Sequence, residues 1–498
     1  SEEIVIKYLV YAFVASFTGA IAGSMLGFAL FPTLLATCFS ILFDMPPIII
    51  SYRLGYAAIG IIVSVGVTVL SSYLSVRQSL KTHPSILMKP KAPKGGKRII
   101  LERWPELWSK LNFTTKVTCR NVFRNKKRFI MAVIGVLGCT SLLVAAFGVN
   151  NSINSTLERQ FTNEDSIWCY DMQTVLNGSF DTEITDCDAI EIIRNRPEIK
   201  SAMLQFMKVY NTRSSKTDKE LETYILVPED KNQIGEYIRL KDAKNGKPLT
   251  LPDSGAVITE KLAKKLKLSV GDNITVKVSE LYSVDVPVAA VAENYAFHYV
   301  YMNKGVYKAL FSTNPKYNYI SSNFAFEMTP EQKSTLAEEL MNEYEINAVS
   351  YSNEIQSMFE NTLDSLNYIV IVLIVCAGLL CLIVLYNLSV ININERVKEI
   401  ATIKVLGFDN FEVSQYIFRE NLLLSLLGTF IGLFTGVGIH RLVIAVAEVD
   451  IVMYGKEAGF LSFIYAAVLS LGFSLLVNLI LRRTLKNVDM VESLKSNE

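Results

Sequence analysis

The 498-residue chain predicts an α-helical polytopic membrane protein, with six transmembrane helices and an α+β extracytoplasmic domain carried on helical stalks. Three observations predict it. Six apolar windows are long enough to cross a bilayer, the Lys and Arg residues between them are distributed unevenly, and one long interval alternates short strand-like and helical patterns. Composition agrees: half the residues are hydrophobic and only 19% are charged, and the mean hydropathy of +0.30 is high for an ordinary soluble protein.

The windows are residues 12–31, 54–76, 129–149, 366–390, 422–443 and 460–481. About 20 apolar residues suffice to span hydrocarbon, and these runs lack the polar face that a globular helix keeps. Between the second and third windows, residues 77–128 carry Lys81, Lys89, Lys97, Arg98, Arg103, Arg120, Arg124, Lys126, Lys127 and Arg128 among their cations, against only Glu102 and Glu106. Cytoplasmic loops are enriched in cations, so this loop is expected inside, facing anionic headgroups rather than a nucleic acid. Threading onward places 150–364 outside and 391–415 inside. The tail with Arg482, Arg483 and Lys486 also falls inside.

The chain contains a repeat. A shift of 409 residues carries Gly19, Gly23 and Gly27 onto Gly428, Gly432 and Gly436, and Tyr56-Ala57-Ala58 onto Tyr465-Ala466-Ala467. Glycines four apart line one helix face and admit a close helix neighbour, so both ladders are expected to pack against helices. The repeat makes residues 1–88 the last two spans of a first unit and 89–128 a basic linker with an interfacial approach helix built on Trp104, Leu107 and Trp108. The second unit then comprises span 129–149, the outside domain with stalks 150–364, span 365–390, a cytoplasmic helix within 391–415, and the last spans and tail 416–498. Residue 1 maps just past the cytoplasmic helix of the second unit, so an N-terminal half or a second permease chain is an expected partner.

The segment ININERVKEIATIKVLG, residues 391–407, follows the fourth window directly. Glu395, Arg396, Lys398, Glu399 and Lys404 alternate in sign on a short helix. Ile400, Ile403 and Leu406 form an apolar stripe, and Gly407 suits a left-handed stop. A helix this short between two spans is expected to find no place for that stripe in the chain's own core, leaving a partner's groove as its home. Through Glu399, Thr402, Lys404, Leu406 and Gly407 the segment resembles the coupling helix of FtsX/MacB-type ABC permeases. Residues 116–136, with Asn121, Arg124, Arg128 and Gly135, resemble the third-span entry of the same family. GAVITEKLAKKLKLSVGDNITV, residues 255–276, reads as strand, helix, turn and strand, and resembles a unit of the MacB-type periplasmic core domain.

The resemblance implies a permease subunit of a bacterial plasma-membrane ABC transporter, partnered by a dimeric ABC ATPase that binds ATP and Mg. Glu395, Arg396, Glu399, Ile400, Thr402, Ile403, Lys404, Leu406 and Gly407 would form the docking surface. Motion would pass through stalks to the outside domain, for export or extraction of a peptide, antibiotic or lipoprotein. A non-transporting mechanical regulator or sensor, acting on an extracytoplasmic protein or peptide, is the alternative.

Catalytic chemistry is expected elsewhere. The sequence has no GxxxxGK[ST] loop, HExxH or GxSxG, and its histidines, His83, His298 and His440, fall in different compartments by the threading above. No cofactor or metal is expected in this chain. No charged residue sits near the middle of a window, where an ion-coupled transporter needs one. Cys119, Cys139, Cys376 and Cys381 read as small apolar residues. Cys169 and Cys187 share the outside domain and either pair or remain thiols.

Overall fold

The structure is a computed structural model and describes residues 2–42, 53–80, 126–162, 165–176, 188–343, 346–395, 397–407, 409–448 and 450–486, with 109, 116 and 120. The basic linker, the Trp104 approach segment, Arg396 and Cys187 lie outside the described residues. Two compact units are present: residues 1–143, 364–433 and 467–498 form one, and 144–363 with 434–466 form the other.

Six described helices are long and apolar enough to cross a membrane. They are α1 (Glu2–Leu42), α2 (Leu54–Leu80), α3 (Lys126–Leu157), α8 (Ser352–Glu395), α10 (Asn410–Ala447) and α11 (Phe460–Lys486). Between α3 and α8 lie the short helices α4 (Asp188–Arg194), α5 (Glu260–Lys265), α6 (Lys304–Phe311) and α7 (Pro330–Glu343), and α9 (Val397–Val405) separates α8 from α10. In the first unit α1 packs on α2, and Phe13, Val14, Ile59 and Ile62 point outward, exposed, as lipid-facing side chains do. Helix α1 continues past the expected window to Leu42 with Pro32 inside it. One lost backbone hydrogen bond does not end so long an apolar helix.

The outside unit is a nine-stranded sheet: β1 (Met172–Leu176), β2 (Ile199–Ser214), β3 (Thr217–Pro228), β4 (Ala256–Thr259), β5 (Asn273–Lys277), β6 (Ser283–Ala292), β7 (Tyr299–Tyr301), β8 (Tyr319–Phe324) and β9 (Ile346–Tyr351). Their order is β3-β7-β4-β6-β5-β2-β8-β1-β9, and an additional β2–β3 pairing closes the first six into a ring. The long β2 makes this possible: Asn211–Arg213 pair with β5 inside the ring, whereas Ile199–Gln205 pair with β8 and begin a second sheet, β2-β8-β1-β9. Strand residues alternate between two cores. Ile225 and Val227 of β3 join one with Val276, Val286 and Leu262. Leu226 between them joins the other, with Trp168, Tyr237, Val257 and Tyr301.

The expected unit around Gly271 is present: β4, α5, a turn with Gly271 at φ +96° and β5. A side chain at that φ would be strained, which accounts for glycine there. Strand β1 is confined to Met172–Leu176, the residues that pair with β8 and β9, and Ile167, Trp168 and Tyr170 ahead of it are buried core side chains.

Candidate functional site

The segment between α8 and α10 is built by chain termination signals. Helix α8 runs unbroken to Glu395, so Ile391–Glu395 belong to it and α9 proper is Val397–Val405. Gly407 adopts φ +94°. Its N–H donates to the Lys404 carbonyl at 3.0 Å, and the Leu406 N–H to that of Thr402 at 3.0 Å, closing the helix with a left-handed glycine. Helix α10 then starts with one arm of a capping box: the Glu412 carboxylate accepts from the Asp409 N–H at 3.2 Å, and the Val413 N–H begins the helical ladder on the Asp409 carbonyl at 3.1 Å.

The apolar stripe divides, which corrects the expectation that it has no home within the chain. Ile400 is buried and Ile403 half-buried, in a core with Val136, Cys139, Cys381, Leu385, Ile393, Val413, Val477 and Leu481. Ala401 is also buried. Only the end of the helix remains apolar and open, with Val405 59% and Leu406 72% exposed. The reason is geometric: α8, α10 and α11 return to the same level, so a nine-residue helix can lay one face on them. Thr402 is exposed and Lys404 half-buried, while Glu395 and Glu399 lie in α8 and α9 respectively.

The glycine ladders part company. A Cβ on Gly428 would stand 2.6 Å from the Val136 Cβ, and one on Gly432 would stand 2.7 Å from the Thr140 Cβ. Gly436 makes the same approach to Val144, at 2.6 Å. Helices α10 and α3 therefore meet at backbone distance, four residues at a time. A Cβ on Gly19, Gly23 or Gly27 would meet nothing within 4 Å among the described residues.

Beside this seam the interior is polar. Asn421 donates to Ser389 at 3.0 Å and to Asn478 at 3.2 Å. One helical turn further, Ser425 bonds Ser474 at 2.7 Å. The Ser470 hydroxyl then bonds both Thr429 at 3.1 Å and Thr140 at 2.8 Å. Each of these groups is buried and satisfied by another, as polar groups in hydrocarbon must be. The signal was available: Asn421, Ser425 and Thr429 recur every four residues on α10, and Ser470, Ser474 and Asn478 on α11.

In the second unit, α3 passes into a π-turn, Glu158–Thr162, and the start of α8 stands beside it. Phe161 packs on Phe359 at 5.4 Å and on Trp168 at 5.2 Å between ring centroids, and Phe297 meets Phe359 at 5.9 Å. Gln356 donates to the Thr162 hydroxyl at 3.1 Å. The π-turn also grips the loop 293–298. Buried Gln160 accepts from the Tyr295 N–H at 3.0 Å and donates to Asn294 at 3.2 Å. Arg159 donates to the Tyr295 hydroxyl at 2.8 Å and lies 3.6 Å from Glu293, and this phenol, with the nearby carboxylates, holds the guanidinium above its ordinary pKa. Cys169 is a free thiol donating to the Ser166 carbonyl at 3.2 Å, and burial pushes its pKa up. Among the described residues no cluster of His, Cys, Asp or Glu could hold a metal.

Residues 129–344 match the family model of the MacB-like periplasmic core domain, and residues 371–490 match that of the FtsX-like permease C-terminal region. Three solved structures align with part of the chain. The periplasmic region of MacB from Actinobacillus actinomycetemcomitans is 11% identical, with 39% of this chain and 94% of that one covered at a TM-score of 0.26. The extracellular domain of the noncanonic ABC-type transporter YknZ from Gram-positive bacteria is 18% identical, with 36% and 98% covered at 0.24. A domain of a putative permease protein from Porphyromonas gingivalis is 14% identical, with 37% and 89% covered at 0.22. No curated protein matches the chain significantly. The two family matches fall on the two parts of the molecule described above, an outside α+β domain and a helical membrane region with a short helix between spans, and they make the chain an FtsX/MacB-type permease.

Proposed function

We propose that this permease converts ATP binding and hydrolysis by a separate, dimeric ABC ATPase, loaded with ATP and Mg, into displacement of its outside domain. The observation that carries the reading is α9: one face is fixed to its own bundle through Ile400 and Ile403, and its end leaves Val405 and Leu406 uncovered. A push received there reaches a core that includes Val136 and Cys139 of α3 and Cys381 and Leu385 of α8. Helix α3 is continuous over Lys126–Leu157 and α8 over Ser352–Glu395, and these two helices are the elements that would carry the push onward.

The work done outside is export or extraction of a peptide, antibiotic or lipoprotein, or mechanical regulation of an extracytoplasmic protein without transport. The interior polar groups favour motion over a conduit, because Asn421, Ser425, Thr429, Ser470, Ser474 and Asn478 engage one another.

Docking is tested by co-purification of the ATPase with the full chain. Leu406→Asp and Val405→Asp should reduce ATPase recovery while the permease remains folded, since a charge forced into an apolar contact costs on the order of 2 to 5 kcal/mol. Undiminished recovery with both would overturn docking through the α9 end.

A further inference from the structure

The connection between α10 and α11 does not simply turn around outside the bilayer. Glu448 closes α10, its N–H donating to the Ile444 carbonyl at 2.9 Å, and the chain then runs through Asp450–Gly459 against the outside domain. Ala296 and Val452 form an antiparallel bridge. The Phe297 N–H donates to the Ile451 carbonyl at 2.7 Å, and the Met453 N–H to that of Tyr295 at 2.8 Å. Met453 is buried in the aromatic core beside Trp168 and Tyr301. The end of the segment is tied to α3: the Gly455 N–H donates to Thr156 at 3.2 Å, Asn151 donates to the Glu457 carbonyl at 3.3 Å, and Arg159 reaches the Glu457 carboxylate at 3.4 Å.

A buried cation anchors the other end. The Lys261 side chain on α5 is only 4% exposed and lies 3.5 Å from Glu448, itself 18% exposed, and its ammonium donates to the Val452 carbonyl. Lys265, one turn further along α5, pairs with Asp450. Burying a lysine is costly unless its charge is matched and its protons are bonded, and an apolar side chain would pack as well if packing were its only role. Loop 293–298, where this segment bridges the domain, is the loop that Arg159 and Gln160 of the π-turn hold. Phe297 within it sits at φ +59°, a left-handed conformation that a bulky residue keeps only when its surroundings enforce it.

We propose that residues 450–457 are a strap that carries displacement of α10, the helix immediately behind α9, into the outside domain, with Lys261 as its anchor and loop 293–298 as the junction where strap and stalk act together. This rests on the mechanical reading above and adds a second transmission path to it. Lys261 is a positioning residue: with its side chain 4% exposed, its role is to keep the strap seated while α10 moves.

The test uses the full chain with its ATPase in lipid nanodiscs, comparing deuterium uptake without nucleotide and after vanadate trapping. In the unmodified complex, trapping changes uptake in loop 293–298. Lys261→Met should abolish that change while ATP turnover stays within about twofold and uptake in the β5–β6 hairpin stays as before, because local opening of the strap leaves the remaining core closed. In a background without other cysteines, Ala296→Cys with Val452→Cys added to Lys261→Met should restore the nucleotide-driven change when oxidised by copper phenanthroline and lose it again on reduction. A full response in Lys261→Met, or no rescue by the disulfide, overturns the strap. No response in the unmodified complex overturns the mechanical reading itself, and the strap with it.

Discussion

Single residues separate the exposed part of the candidate site from the part that holds the fold. Ile400 of α9 and Leu406 just past its end are both apolar, yet one is sealed and the other open. Ile400→Asp should therefore lower the yield of folded permease, whereas Leu406→Asp should spare it. Size-exclusion profiles of the two variants check the contrast. The glycines supply a second pair. Gly432→Leu must displace Thr140, overpacking a helix contact at about 1–3 kcal/mol, and should reduce the thermal midpoint in detergent. Gly23→Leu meets nothing among the described residues and should leave the midpoint unchanged.

His298 carries a pH prediction. The ring is buried, and burial, reinforced by the facing cations Lys261 and Lys265 and opposed by Asp450, depresses its pKa from the ordinary 6.5 to about 4. The unfolded chain then binds more protons than the folded one between these values, so stability is fully present above pH 6.5 and falls as pH drops toward 4. The loss from this group approaches about 3 kcal/mol. Protection factors of β7 and β4 in the full chain, taken from deuterium exchange corrected for the pH dependence of the intrinsic amide rate, should fall across that interval, and His298→Phe should flatten this part of the response.

At the scale of elements, what the sequence revealed depended on whether a segment has one buried face or two. β5 and β6 bury alternate residues, Ile274 and Val276, then Val284, Val286 and Val288, so their period of two was legible. β2 was not: it is shared by the ring and the second sheet and is covered on both faces, so Met203, Leu204, Gln205 and Phe206 are buried in succession and alternation vanishes. β8 was hidden for the opposite reason, since its buried positions include Ser321 and Ser322. The helices read more reliably because a lipid-facing surface leaves every side apolar. For the same reason composition could not say which stripe faces a neighbour, and the hydrogen-bonded seam went unread. The continuation of α3 and α8 beyond the bilayer is an element property with a test. A flexible Gly/Ser insertion after Phe161 or before Asn353 should leave ATP turnover largely intact and abolish the biological output, because a random coil cannot pass on a directed push. Full output with both insertions would favour a path through the spans.

For the whole molecule, the threading of the chain through the bilayer fixes what each part can meet. The repeat places α10 and α11 on the pattern of α1 and α2, and the structure shows how differently the two pairs are used: the second ladder is sunk into α3, while the first is bare among the described residues. Charge supplies the direction. With the cations of residues 77–128 retained in the cytoplasm, the α9 end must face a cytoplasmic ATPase and the nine-stranded domain must face outward, or the proposed coupling has no meaning. Ser215 lies in the turn between β2 and β3 and is exposed, which makes it a reporter for the domain, and position 95 is a reporter for the basic loop. In a background without native cysteines, Ser215→Cys should react with a membrane-impermeant maleimide in intact cells, and Gly95→Cys should react only after the membrane is permeabilised. The reverse pattern would invert the molecule, place Leu406 outside, and remove the ATPase from its proposed site.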